Sequence, residues 1–143
     1  MSIVGEPADF APLFEAARER GVRIGWLELD SDAAPPPTLT GPPLTSAFRA
    51  VAVGSSATVV VKPRKGAPVL RDLIREHFLG ADVVLVKGLD LFPKLRNGDG
   101  SWVFGESAVR ERRLSLDELF ARMRKPELRW RAEADRGVDG SDG

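Results

Sequence analysis

The residues able to do chemistry in this chain are few, and two positions frame them. Gly5 follows the short apolar run Ser2-Ile3-Val4 and precedes a helical pattern, and Lys87-Gly88 ends the run Val83-Val84-Leu85-Val86. A glycine between strand and helix is where backbone N–H groups can cradle a phosphate. A lysine at the carboxyl end of a buried strand sits where open α/β sheets bind their ligands. A phosphate loop, however, needs glycine, four residues, then Gly-Lys-Ser/Thr. Counted from Gly5, those three positions are Phe10, Ala11 and Pro12. No ammonium then reaches a γ-phosphate, no hydroxyl reaches magnesium, and Pro12 removes a backbone donor, so these residues by themselves describe an ordinary strand-to-helix turn.

Lys87 ends a fully apolar strand and so needs water or an anion. Asp9, Asp30 or Asp90 could supply a fixed carboxylate, whereas a phosphate or carboxylate ligand would make this edge a binding site. The candidate nucleotide- or anion-binding set is therefore Gly5, Asp9, Asp30, Lys87 and Gly88, joined by the basic loop residues Lys62, Arg64 and Lys65. Solvated loop charge is the competing explanation for the last three. His77 falls on the apolar stripe of a helix and suits core-edge packing, and Trp26, Trp102 and Trp130 suit packing as well, Trp130 at an interface because so little apolar sequence surrounds it. Arg110, Arg112 and Arg113 suit a solvated face. No carboxylates pair convincingly for acid/base work, and no catalytic residue is identified.

Composition narrows the chemistry further. The 143 residues contain no cysteine and one histidine, which removes thiolate sites and leaves no basis for a histidine metal site; no metal is expected. The 21 basic and 21 acidic residues cancel, which argues against a dedicated nucleic-acid binder. No apolar run approaches a membrane span and no signal pattern opens the chain. A cytoplasmic protein is expected, with one α/β domain over residues 1–130 and a disordered polar tail over 131–143.

The elements that must position these residues follow from periodicity. Val83 to Val86 is a strand buried on both faces, the signature of a parallel sheet covered by helices. Phe10, Leu13, Phe14 and Ala17 mark a helix with Asp9 as N-cap and Pro12 in its first turn, ended by Gly21. Val22 to Leu29 is a strand, so strand, helix and strand form a βαβ unit with parallel strands. The proline-rich stretch from Asp30 to Ser46 is a long surface loop, either a functional flap or partner-binding segment or a plain linker. Phe48 to Val53 and Thr58 to Lys62 form a hairpin, and a helix opening at Pro68 leads to the central strand. Leu89 to Arg96 and Ser101 to Phe104 flank the turn Asn97-Gly98-Asp99-Gly100. Ser115-Leu116-Asp117-Glu118 has capping-box spacing and starts a last helix that Pro126 stops.

The order and wording of several segments resemble the MobB family. They are Ile3-Val4-Gly5, the helix ending in Arg18-Glu19-Arg20-Gly21-Val22-Arg23-Ile24-Gly25, Leu27-Glu28-Leu29-Asp30, and Gly80 through Asp90 with Pro93-Lys94. Members of that family are P-loop proteins acting as adaptors in molybdopterin-guanine dinucleotide biosynthesis. The resemblance spans roughly Ser2 to Arg96. It implies a three-layer α/β fold, mainly parallel, with P-loop-NTPase-like (Rossmann-like) topology, to which the hairpins and the C-terminal helix are added. It also implies a homodimer, guanine nucleotide or molybdopterin as ligand, and a molybdenum-cofactor biosynthesis protein as partner. This chain departs from the family where it matters chemically. The family's lysine and threonine are Ala11 and Pro12, its acidic residue before glycine is Lys87, and its histidine-bearing segment is Ser31-Asp32-Ala33-Ala34-Pro35. The expected function is therefore a non-hydrolysing, P-loop-like adaptor or binding protein. The alternative is a small α/β enzyme or ligand-binding domain that takes an anionic metabolite at the Gly5/Lys87 edge.

Overall fold

Residues 1–29, 49–62, 66–67 and 69–123 are described by a computed structural model of the chain. The order of elements is β1 (Ser2–Ile3), a 3-10 turn (Pro7–Phe10), α1 (Ala11–Glu19), β2 (Ile24–Glu28), β3 (Ala50–Val53), β4 (Thr58–Val61), α2 (Leu70–His77), β5 (Val83–Lys87), β6 (Lys94–Asn97), β7 (Trp102–Ser107), β8 (Arg110–Leu114) and α3 (Leu116–Met123). They fall into two compact units, Met1–Asp30 with Pro68–Gly143, and Ser31–Ala67. The expected loop from Asp30 to Ser46, the tail from 131, Arg64, Lys65 and Trp130 lie outside the described residues.

The first unit is built on a six-stranded sheet of order β2-β5-β1-β6-β7-β8. Strands β2, β5, β1 and β6 run parallel, and β7 and β8 complete the sheet antiparallel. The βαβ unit is parallel as expected, but β5 lies between its two strands. Alternation of side chains across β5 explains the unbroken apolar run. Val83 and Leu85 enter a core with Phe10, Leu13 and Ala17 beneath α1 and Leu119, Phe120 and Met123 beneath α3. Val84 and Val86 enter the opposite core with Leu70, Ile74 and Phe78 of the α2 segment. Helices thus cover both faces, and the architecture is the three-layer α/β class expected.

Local chemistry accounts for the element ends. The Asn97–Gly100 turn joins β6 to β7; Asn97 Oδ1 accepts from the Asp99 N–H at 3.0 Å while Asp99 and Gly100 take φ of 54° and 98°. Ser115 and Glu118 form the capping box, with the Glu118 N–H donating to Ser115 Oγ at 3.2 Å. Asp9 is not the N-cap of α1. It lies in the 3-10 turn, which opens at Pro7 with φ already set for a helical turn, and its carboxylate accepts from the Glu6 N–H at 2.8 Å. Strand β8 was not anticipated from the sequence; its Arg-Glu-Arg-Arg-Leu run has one buried residue, Leu114, because it closes the sheet at an edge.

In the second unit, β3 and β4 pair antiparallel with Ala50 opposite Val61 and Val53 opposite Thr58, which is the expected hairpin as a two-stranded sheet of its own.

Candidate functional site

The carboxyl ends of β1, β2, β5 and β6 form one edge of the first unit, and Gly5, Asp9, Lys87 and Gly88 meet there. Gly5 leaves β1 with φ of +133°, and a Cβ on it would stand 2.9 Å from Asp9 Oδ2 and 3.2 Å from the Phe10 ring. That glycine therefore lets the following turn fold tightly back on the strand end. Phe10 anchors the turn from below: it is fully buried, with its ring 5.7 Å from Trp26 and 5.6 Å from Trp102. Asn97, at the end of β6, holds the turn from the side by donating from Nδ2 to the Asp9 carbonyl at 2.8 Å.

Lys87 sits opposite Ile3 on one neighbouring strand and Glu28 on the other. Its ammonium donates to both carboxylate oxygens of Glu6, each at 2.8 Å. This corrects the sequence expectation, which offered Asp9, Asp30 or Asp90 as partner. Asp9 is engaged by the Glu6 N–H, Asp90 pairs with Lys94, and Asp30 is outside the described residues. The hydrogen bond that Lys87 donates to Glu6, opposed by partial desolvation and reinforced by the charges of Glu6 and Glu28, raises the Lys87 pKa above its ordinary 10.5. Glu28 is itself oriented by the Trp26 indole, whose Nε1 donates to Oε1 at 3.0 Å.

The chemical consequence is that both anion-seeking groups of this edge already hold an anion from the same turn. Glu6 occupies the ammonium and Asp9 occupies the first N–H of the loop, so the edge carries Glu6, Asp9 and Glu28 against Lys87. Glu6, Glu28 and Asn97 were missed from sequence. The signal for Glu6 was its place directly after the strand-ending glycine, from which a short turn can swing its carboxylate over the neighbouring strand end.

Other predicted residues lie elsewhere. Lys62 follows β4 in the second unit, and Arg64 and Lys65 are outside the described residues. His77 is at the end of α2, edge-on to Phe78 with centroids 6.5 Å apart and 3.9 Å from Glu76. Among the described residues no group of three or more His, Cys, Asp or Glu is placed to hold a metal ion, and no helix is long and apolar enough to cross a membrane.

No protein-family model matches the chain, and no curated protein matches it in sequence. Solved structures do resemble it. Two are of MobB from Bacillus subtilis, at 22% and 21% identity with TM-scores of 0.43 and 0.42. Another is a MobB homologue from Bacillus stearothermophilus, at 20% identity and a TM-score of 0.41. Each alignment covers 65% of this chain, and it spans 63%, 60% and 58% of the three structures in turn.

Proposed function

We propose that this protein is a P-loop-like adaptor or binding protein that does not hydrolyse nucleotide. The observation that carries the reading is the occupation of the strand edge by its own carboxylates: Lys87 is bonded to Glu6 and the first loop N–H to Asp9. Phosphoryl transfer rests on cations and donors poised around the phosphates. Here the P-loop lysine and hydroxyl positions are Ala11 and Pro12, and the remaining ammonium is neutralised internally. The same occupation weighs against the alternative enzyme on an anionic metabolite, because such a substrate would have to displace Glu6 and approach Asp9 and Glu28 as well.

The resemblance of Ser2–Arg96 to the MobB family supplies the context in which to seek a partner. That is a molybdenum-cofactor biosynthesis protein, with guanine nucleotide or molybdopterin as the small molecules to try. Incubation with GTP or ATP and magnesium is expected to release no phosphate above buffer. Titration calorimetry is expected to show a complex with a purified protein of that pathway. Magnesium-dependent turnover that disappears in Lys87→Met would overturn the non-hydrolysing reading, and failure to bind any such protein would overturn the adaptor one.

A further inference from the structure

The far edge of the sheet carries a second cluster of charge, unrelated to the Lys87 edge. Among the described residues β8 is the last strand, paired with β7 on one side only. Its outer side therefore presents backbone N–H and C=O groups that no described strand satisfies. The side chains along it are mostly arginine. On the α3 face, Arg112 and Arg110 lie 3.6 Å and 4.0 Å from Glu106, which also pairs with Arg122 of α3. The Arg122 guanidinium carbon lies 5.0 Å from the Phe104 ring centroid, a cation–π contact at the sheet edge. Between β8 and α3 opens a cavity of about 290 Å³ lined by Arg112, Arg113, Leu114, Glu118, Ala121 and Arg122. Three guanidinium groups carry fifteen N–H donors by their chemistry, far beyond what the two oxygens of Glu106 accept.

We propose that the outer edge of β8, bearing Arg110, Arg112 and Arg113 with Arg122 beside it, docks an acidic segment of a partner protein that joins the sheet as an additional extended strand. Strand addition draws affinity from main-chain hydrogen bonds and specificity from alternate side chains. Arg112 and Arg113 lie on opposite faces of the sheet; Arg113 already donates from Nη1 to the Gly98 carbonyl at 3.1 Å and to Ser101 Oγ at 2.9 Å, so recognition of the acidic side chains rests on Arg110 and Arg112 on the α3 face. The arginines of two copies would repel one another, which disfavours edge-to-edge self-pairing as the use of this surface. A nucleic-acid strand fits less well, because Glu106, Glu111 and Glu118 are interleaved with the arginines. They would oppose a continuous line of phosphates, whereas spaced carboxylates can avoid them.

The test is fluorescence anisotropy of the full chain with a labelled ten-residue peptide of alternating glutamate and valine. The peptide with lysine for glutamate, the peptide N-methylated at alternate backbone amides and an oligouridylate of equal length serve as comparisons. The acidic peptide is expected to bind saturably, and the lysine peptide is expected not to bind. Both N-methylation and the double variant Arg110→Glu/Arg112→Glu are expected to weaken binding by about tenfold or more, roughly 1.4 kcal/mol. Should the double variant lose its fold by circular dichroism, the N-methylated peptide on the unaltered chain decides. Equal binding of acidic and lysine peptides, indifference to N-methylation, or tighter binding of the oligouridylate would each overturn the proposal. The last of these would make the edge a polyanion surface instead.

Discussion

At the strand-end edge, Lys87 and Glu6 hold each other in a geometry that neither could keep alone. The ammonium is fixed by β5 and is one-third exposed, while the carboxylate is brought by a turn that Gly5 permits. Because the folded-state pKa of Lys87 is raised, its contribution to stability is fully present below the ordinary value of 10.5 and is lost as pH climbs through the raised one. Lys87→Met is accordingly expected to melt below the parent at neutral pH, with the gap closing in strongly alkaline buffer. Thermal melts across that range check it, and a gap indifferent to pH would mean that the lysine acts through packing alone. Gly5→Ala should cost about 2 kcal/mol in urea unfolding, since the new methyl meets Asp9 Oδ2 at 2.9 Å in a conformation that side chains rarely adopt. That Lys87 required an anion was legible from four apolar residues before it. Which anion was not, because Glu6 arrives only through the 3-10 turn, and nothing in local propensity distinguishes that turn from a helix beginning at Asp9.

Elements were legible where one signal sufficed. The β5 run, the Asn97–Gly100 turn and the Ser115/Glu118 box each announce themselves within a few residues, and all three formed. Removing the hydroxyl in Ser115→Ala should cost about 1 kcal/mol, read by urea unfolding, because the Glu118 N–H loses its acceptor at the start of α3. Leu85→Ala should cost roughly 2–5 kcal/mol by the same measurement, since the side chain is fully buried in the core beneath α1 and α3. Strand β8 was illegible for the opposite reason. Its outward side chains are charged on both faces, so the period of two that reveals a half-buried strand is missing, and only Leu114 reaches the core. What makes it a strand is β7, whose Trp102, Val103 and Phe104 are buried and offer a pairing edge. The placement of β5 between β1 and β2 was likewise hidden, because strand order is set by which surfaces α1, α2 and α3 can cover together and leaves no mark in any single segment.

For the molecule as a whole, charge is balanced and the first unit has core clusters on both faces of its sheet, whereas the described residues of the second unit form a two-stranded ribbon that belongs to neither cluster. In β3 and β4, Val51 stands opposite Val60 and Ala52 opposite Val59, so both faces of the ribbon are apolar. Val51, Val53, Val59 and Val60 remain between 40% and 79% exposed. A two-stranded hairpin is marginal in water without a hydrophobic surface to lie on, and its open edges invite further pairing. Two-fold association of identical chains satisfies both needs at once, because each ribbon supplies the other with an apolar face and an edge. We therefore expect light scattering at micromolar concentration to give twice the chain mass of 15.5 kDa. Lysine at Val53 and Val60 together should return the protein to a monomer, since each copy would bring two ammonium groups into the contact, while leaving the first unit's melting transition in place. A parent protein that is already monomeric over that range would overturn the dimer. A double variant that stays dimeric would place the contact elsewhere on the chain.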